Sequence, residues 1–216
     1  MKSIFVGSIE IFLEESENYL QINDVGAEDI RELWFTLKDE YRRYEVNLCY
    51  HDTPIPHDFL REIRAVIIDN CTSMRLVAAD FIVHPDRNVI PITKVNFASF
   101  AALHDTSNPD MYWTSRRLQE NMADWRIFAY QLGQEMIGYT LMNLAMHEPT
   151  QAEIYCCVAH DSDDTMSLLS AAAEHAFKAS KAEVLFMPDV GSLGERIAQS
   201  LGFKTYGSYQ GYAVKL

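Results

Sequence analysis

The chain has 216 residues, 48% of them hydrophobic and 23% charged, which excludes a disordered chain, a collagenous fibre and a disulfide-scaffolded miniprotein. Eighteen Lys and Arg stand against 31 Asp and Glu, for a formal net charge of -13. The acidity is even: residues 1–95 carry 10 basic and 17 acidic groups, residues 96–216 carry 8 and 14.

No basic stretch offers itself to nucleic acid or to an anionic membrane surface, whereas a cationic partner such as an amine is easily accommodated. The length suffices for one large domain or two compact ones. No apolar run approaches the roughly 18 residues that span a bilayer, and Glu10 and Glu14 arrive too early for a secretory leader. Cys49, Cys71, Cys156 and Cys157 form no CxxC pair or metal spacing. The expectation is a cytoplasmic protein with reduced thiols and no metal.

Residues 1–22 read as strands. Ile30, Leu33, Trp34 and Leu37 then fall at helical spacing between Ala27 and Tyr41. Val46–Tyr50 alternates like a half-buried strand. Pro54 and Pro56 mark a helix entry, and Phe59, Ile63, Val66 and Ile67 predict a helix ending near Asn70. Leu76–Val83 reads as a further strand.

The polar stretch His84–Asn88 is the best boundary, giving an N-terminal αβ half over residues 1–86 and a second domain over 87–216. After it come a strand over Val89–Lys94, a helix around Phe97–Leu103, a loop over His104–Asp110 and a helix around Thr114–Met122. A hairpin turns at Leu132-Gly133-Gln134-Glu135. Glu153–Val158 is a strand, Asp164–Ser180 a long helix, Glu183–Met187 a strand, Leu193–Leu201 a helix, and Phe203–Leu216 a final strand or hairpin. Cys156 and Cys157, adjacent on a strand, point to opposite faces.

From Val89 onward the order β-α-α-β-β-β-α-β-α-β resembles the GNAT superfamily of acyl-CoA-dependent N-acyltransferases. The phrases that carry the resemblance are WRIFAYQLGQEMIGYTLM over Trp125–Met142, Ala152-Glu153-Ile154-Tyr155, Leu168–Ala172, and Ser200-Leu201-Gly202-Phe203 followed by Tyr206-Gly207-Ser208-Tyr209. The resemblance implies a mixed, mostly antiparallel α/β (α+β) sheet with flanking helices, preceded by a smaller αβ half. The strand and helix rhythm of that half is similar to the same core, as a decayed repeat.

It also implies acetyl-CoA as co-substrate and an amine as acceptor, a small molecule or an exposed Lys; an oligomer is possible but not readable. Two parted strands offer main-chain groups to the pantetheine amides, and the next helix presents its N-terminus to the pyrophosphate. On this reading Cys156, Cys157, Val158, Thr165 and Ser167 hold the cofactor, Glu153 is the general base, and Tyr209 the proton donor. His104, Asp105 and Tyr112 shape the acceptor pocket.

Two departures stand out. Residues 159–167 contain neither glycine nor arginine, but three aspartates, Asp161, Asp163 and Asp164. These read as a helix cap, by Ser162 or Asp163, with acids complementing the dipole. Ala198 occupies the position of the family's usual tyrosine. The alternative expectation is therefore a catalytically silent GNAT fold that binds a ligand or a protein.

Overall fold

The computed structural model describes residues 2–216. In chain order the elements are β1 (Lys2–Val6), β2 (Ile9–Glu14), β3 (Tyr19–Asn23), α1 (Ala27–Glu40), β4 (Glu45–His51), α2 (His57–Glu62) and β5 (Val66–Val77). There follow β6 (Val89–Pro91), α3 (Phe97–Ser107), α4 (Ser115–Glu120), β7 (Trp125–Leu132), β8 (Glu135–Asn143) and β9 (Gln151–Val158). The chain ends with α5 (Ser162–Lys178), β10 (Glu183–Phe186), α6 (Leu193–Ser200) and β11 (Lys204–Lys215). They form two compact units, one of residues up to Thr72 together with Gly207–Leu216, the other of Ser73–Tyr206. The boundary expected at residues 86 and 87 lies inside the second unit.

In the first unit the strand order is β1-β2-β3-β4-β11. All neighbours are antiparallel except β3 and β4, which α1 joins as a crossover. The alternation of Val46, Leu48 and Tyr50 turns these side chains to one face, where Ile30, Leu33, Trp34 and Leu37 of α1 bury against them.

The second unit has the order β5-β10-β9-β8-β7-β6, again antiparallel except for one pair, β9 and β10, joined through α5. Leu168, Leu169, Ala172, Ala173 and Ala176 of α5 are fully buried in the core on one face. Phe97 and Phe100 of α3 and Leu118 of α4 pack with Trp125 and Tyr139 in a separate cluster. The sheet is thus covered by helices through two cores, a mixed α+β architecture.

The same succession occurs in both units: three antiparallel strands, a helix, a parallel strand, a helix, a strand. The last strand of each succession divides between the units. β5 gives residues 74–77 to the ladder with β10, and β11 gives residues 209–215 to the ladder with β4.

Several elements differ from the sequence expectations. The helix expected over Phe59–Asn70 stops at Glu62, because Arg64 adopts a left-handed φ of 58° and the β-branched run Val66-Ile67-Ile68 extends into β5. The strand expected over Leu76–Val83 ends at Val77 and gives way to a short 3-10 turn. β6 is shorter than expected, only Val89–Pro91, with one further bond from the Ile92 N–H to the Ile127 carbonyl. His104 lies within α3, not in the loop expected over His104–Asp110. Phe203–Leu216 resolves to the single strand β11.

Two glycines are required by geometry. Gly133 takes a φ of 63° in the two-residue turn between β7 and β8. Gly202 has a φ of 99°, and a Cβ there would collide with the Asp80 carbonyl oxygen.

Candidate active site

The parallel pairs of the two units differ in one decisive way. In the first unit the β3–β4 ladder runs the whole length of β3, from Tyr19 opposite Glu45 to Asn23 opposite Cys49, and the Asp24 N–H extends it by donating to the Cys49 carbonyl at 2.8 Å. In the second unit the β9–β10 ladder starts at Gln151 opposite Glu183 and ends at Ile154 opposite Phe186, while β9 continues to Val158. Pro188, just beyond the end of β10, has no N–H with which to continue it. β9 keeps β8 as its neighbour as far as Val158 opposite Tyr139. Residues 156–158 therefore have a strand partner on one edge and no β10 rung on the other.

A bulge sits where the strands part. Leu141 of β8 faces Cys156 and Met142 faces Ile154, so Tyr155 is the extra residue. The bulge resets the alternation: Ile154 and Cys157 pack into the α5 core, whereas Cys156 and Val158 join the cluster of α3 and α4. The adjacent cysteines thus face opposite sides, as expected. All four cysteines are free thiols. Burial pushes the Cys156 thiol up to about 12 and raises that of Cys157 further, with Cys156 adding to it. Neither is a thiolate nucleophile near neutral pH.

Glu153 is half-buried on β9, opposite Leu185 of β10 and Asn143 of β8, between the core residues Ala152 and Ile154 and so on the other face from them. Tyr155 is 40% exposed and ends a row of aromatic rings. Its ring lies 5.7 Å from Trp125, Trp125 lies 4.8 Å from Trp113, and Trp113 lies 5.6 Å from Tyr112. The Arg117 guanidinium covers Tyr112 at 4.0 Å and donates to its carbonyl.

The other expected acceptor residues are engaged in the fold. His104 is fully buried, with Nε2 2.8 Å from the Trp113 carbonyl and Nδ1 2.8 Å from the Tyr139 hydroxyl, which also accepts from Asn108. Both ring nitrogens are occupied. The Asp105 carboxylate accepts from the Ser115 hydroxyl at 2.7 Å and backbone N–H, tying α3 to the start of α4.

At the N-terminus of α5 the capping residue is Asp161, not Ser162 or Asp163. Its Oδ1 accepts the backbone N–H groups of Asp163 at 2.9 Å and Asp164 at 3.0 Å. Thr165 donates its hydroxyl to the Asp161 carbonyl, and the Ser167 hydroxyl lies within bonding distance of the Asp163 carbonyl and of Asp86 Oδ2. Both hydroxyls are buried and turned into their own helix and loop. Asp164 is 4% exposed and its Oδ2 has no hydrogen-bond partner. Burial, then the Asp161 charge, raises its carboxyl above the ordinary value.

Tyr209 belongs to the first unit, whereas Glu153 and β9 belong to the second. Its hydroxyl donates to Cys49 Sγ at 3.3 Å and its ring lies 4.8 Å from that of His51. Burial above all, and then Cys49, lifts its phenol far above the ordinary range. Ala198 is fully buried in the α5 core and offers no hydroxyl. The sequence reading did not single out Tyr155, the Asp161 cap or Asp86. The aspartate run signalled a cap, but at Ser162 or Asp163 instead of Asp161, and no pattern of letters announces a bulge.

Among the described residues no group of three or more His, Cys, Asp and Glu is arranged to hold a metal ion, and no helix is long and apolar enough to cross a membrane.

No family model matches the chain, and no curated protein matches it. Solved structures match over nearly its whole length. A conserved protein of unknown function from Staphylococcus epidermidis is 11% identical, with a TM-score of 0.72 over 99% of this chain and 94% of that one. A GCN5-related N-acetyltransferase from Kribbella flavida is 13% identical, with a TM-score of 0.71 over 99% and 89%. A tandem GNAT protein from the clavulanic acid biosynthesis pathway is 14% identical, with a TM-score of 0.63 over 95% and 78%. The chain has the fold of the GNAT acetyltransferases.

Proposed function

We propose that the chain is an N-acyltransferase that moves an acetyl group from acetyl-CoA to an amine, and that β9 of the second unit is its donor site. The observation that carries this reading is the end of the β9–β10 ladder at Ile154 and Phe186, which leaves an open strand edge over residues 156–158. The amide-rich pantetheine arm of a thioester suits such an edge, because its amides can pair with main-chain N–H and C=O groups as a further strand does.

Acetyl-CoA fits this site in part. Its arm suits the edge, but its diphosphate does not suit the N-terminus of α5, where Asp161 already accepts the N–H groups of Asp163 and Asp164. The chemistry assigned to this chain therefore concerns the reacting end. Glu153 takes the proton of the acceptor ammonium, and the free amine forms a C–N bond to the acyl carbon as the C–S bond breaks. An N–H of Cys157 or Val158 polarises the acyl oxygen. The second proton of the amine passes to the leaving thiolate, so that a neutral amide and a free thiol are released.

The acceptor is a small cationic amine or an exposed Lys, in keeping with a net charge of -13. The four free thiols fit the reducing cytoplasm. The first unit is a decayed GNAT-like half, a reading supported by its repeated succession of elements and its closed parallel ladder.

Two features favour a second reading, a silent fold that binds a ligand without turnover: the self-capped α5 and Ala198 in place of a tyrosine. Calorimetric titration with acetyl-CoA, followed by a thiol-release assay over a panel of amines, separates the two. Binding with turnover supports the transferase, and binding without turnover the silent fold. Absence of binding at millimolar donor removes the donor site.

A further inference from the structure

The first turn of α5 is built against an anion. The Asp161 carboxylate occupies the place at its backbone N–H groups that a phosphate oxygen takes at a helix N-terminus. Asp163 and Asp164 follow it in the first turn, and Asp86 Oδ2 lies 2.9 Å from the hydroxyl of Ser167, one turn further along. Residues 159–167 contain no Lys or Arg, and no glycine that lets a backbone approach phosphate oxygens. Asp164 adds a buried oxygen without a partner, a group that attracts a hydrogen-bond donor and not another acceptor.

The corresponding helix of the first unit is no substitute. α1 is capped by Gly26, with Glu28 and Asp29 in its first turn, and follows Asp24 beside a parallel ladder with no parting. Neither α5 nor α1 offers a site for a diphosphate.

We propose that donor recognition is confined to the acyl-pantetheine arm, so that thioesters of pantetheine without the 3′-phospho-ADP group bind at least as well as the corresponding acyl-CoA. This rests on the reading of β9 as the donor site. The nucleotide of acetyl-CoA then lies away from the first turn of α5 and adds repulsion instead of affinity. The transfer step is the same for both donors: the C–N bond forms, the C–S bond breaks, and the released thiol is pantetheine in place of CoA.

The test is calorimetric titration of the full chain with S-acetylpantetheine, acetyl-CoA and 3′,5′-ADP, at low and at moderate ionic strength. S-acetylpantetheine is expected to bind with a dissociation constant equal to or below that of acetyl-CoA. 3′,5′-ADP is expected not to compete. Added salt should tighten acetyl-CoA by screening the carboxylates while leaving S-acetylpantetheine unchanged.

Asp163→Lys, at an exposed position whose side chain serves no cap, should tighten acetyl-CoA by about threefold or more without affecting S-acetylpantetheine. Acetyl-CoA binding measurably more tightly than S-acetylpantetheine, by about twofold or more, or competition by 3′,5′-ADP, overturns the inference and leaves the transferase reading intact. Failure of both thioesters to bind at millimolar concentration overturns the donor site itself, and the inference with it.

Discussion

Ile154 of β9 and Phe186 of β10 form the last rung of the parallel ladder in the second unit, and β9 runs on without β10 to Val158. The corresponding pair in the first unit, β3 and β4, has no such end: Asn23 faces Cys49, and Asp24 adds a further bond beyond it. Of two similar successions of elements, one keeps an open strand edge and the other is closed along its length. On the proposed function, that contrast confines the donor site to the second unit.

Glu153 stands on β9 next to this edge. Glu153→Gln preserves size but exchanges one acceptor oxygen for a donor and removes the base. Turnover should fall by about a hundredfold or more, with donor affinity within about twofold of the parent. Steady-state kinetics with calorimetry reads both, and unaltered turnover removes Glu153 from the mechanism.

His104 serves the fold through its two bonds to Tyr139 and the Trp113 carbonyl. His104→Ala leaves a cavity and removes a hydrogen-bond partner from both the Tyr139 hydroxyl and the Trp113 carbonyl, and should cost about 3 kcal/mol of stability in urea denaturation. At a temperature where the variant is folded, its KM for the amine should match that of the parent. A raised KM with unchanged stability would instead make His104 an acceptor contact.

Asp164 gives a pH-dependent prediction. Its carboxyl is raised above the ordinary 3.8 by burial first and by Asp161 second. A carboxyl that holds its proton more tightly folded than unfolded favours folding when protonated. That contribution is complete below 3.8 and is lost as the pH rises through the raised value. Asp164→Asn should therefore stabilise the protein at neutral pH by about 1 kcal/mol, and the advantage should fade under acid conditions. Urea denaturation across the pH range checks both the sign and the fading; a variant less stable at neutral pH contradicts the assignment.

Gly202 tests the backbone. Its φ of 99° and the Asp80 carbonyl beside it leave no room for a side chain. Gly202→Ala should cost about 2–4 kcal/mol. A thermal shift smaller than that of a surface substitution contradicts it.

Much of the fold was legible where periodicity is strong. Ile30, Leu33, Trp34 and Leu37 announced α1, and Gly133 announced the hairpin. The reading failed where two periods competed: Phe59 and Ile63 are compatible with a helix that Val66 and Ile67 continue, but Arg64 turns left-handed and the β-branched run joins a strand. The placement of Glu153, Cys156 and Cys157 on one strand, with the two cysteines on opposite faces, followed from local alternation. The bulge at Tyr155, the end of the ladder at Phe186 and the placement of Tyr209 in the other unit depend on which distant strands meet. Local sequence does not encode that choice in any window of a dozen residues. The acidic first turn of α5 was visible as composition, while its consequence for a diphosphate needed the Asp161 bonds.

The most direct measurement is the amide NMR spectrum of the protein titrated with S-acetylpantetheine. The account predicts shifts concentrated at the N–H groups of Cys156, Cys157 and Val158, with those of Leu20–Asn23 on the closed ladder unmoved. An unchanged β9 at saturating thioester, or shifts centred on β3 and β4, contradicts it.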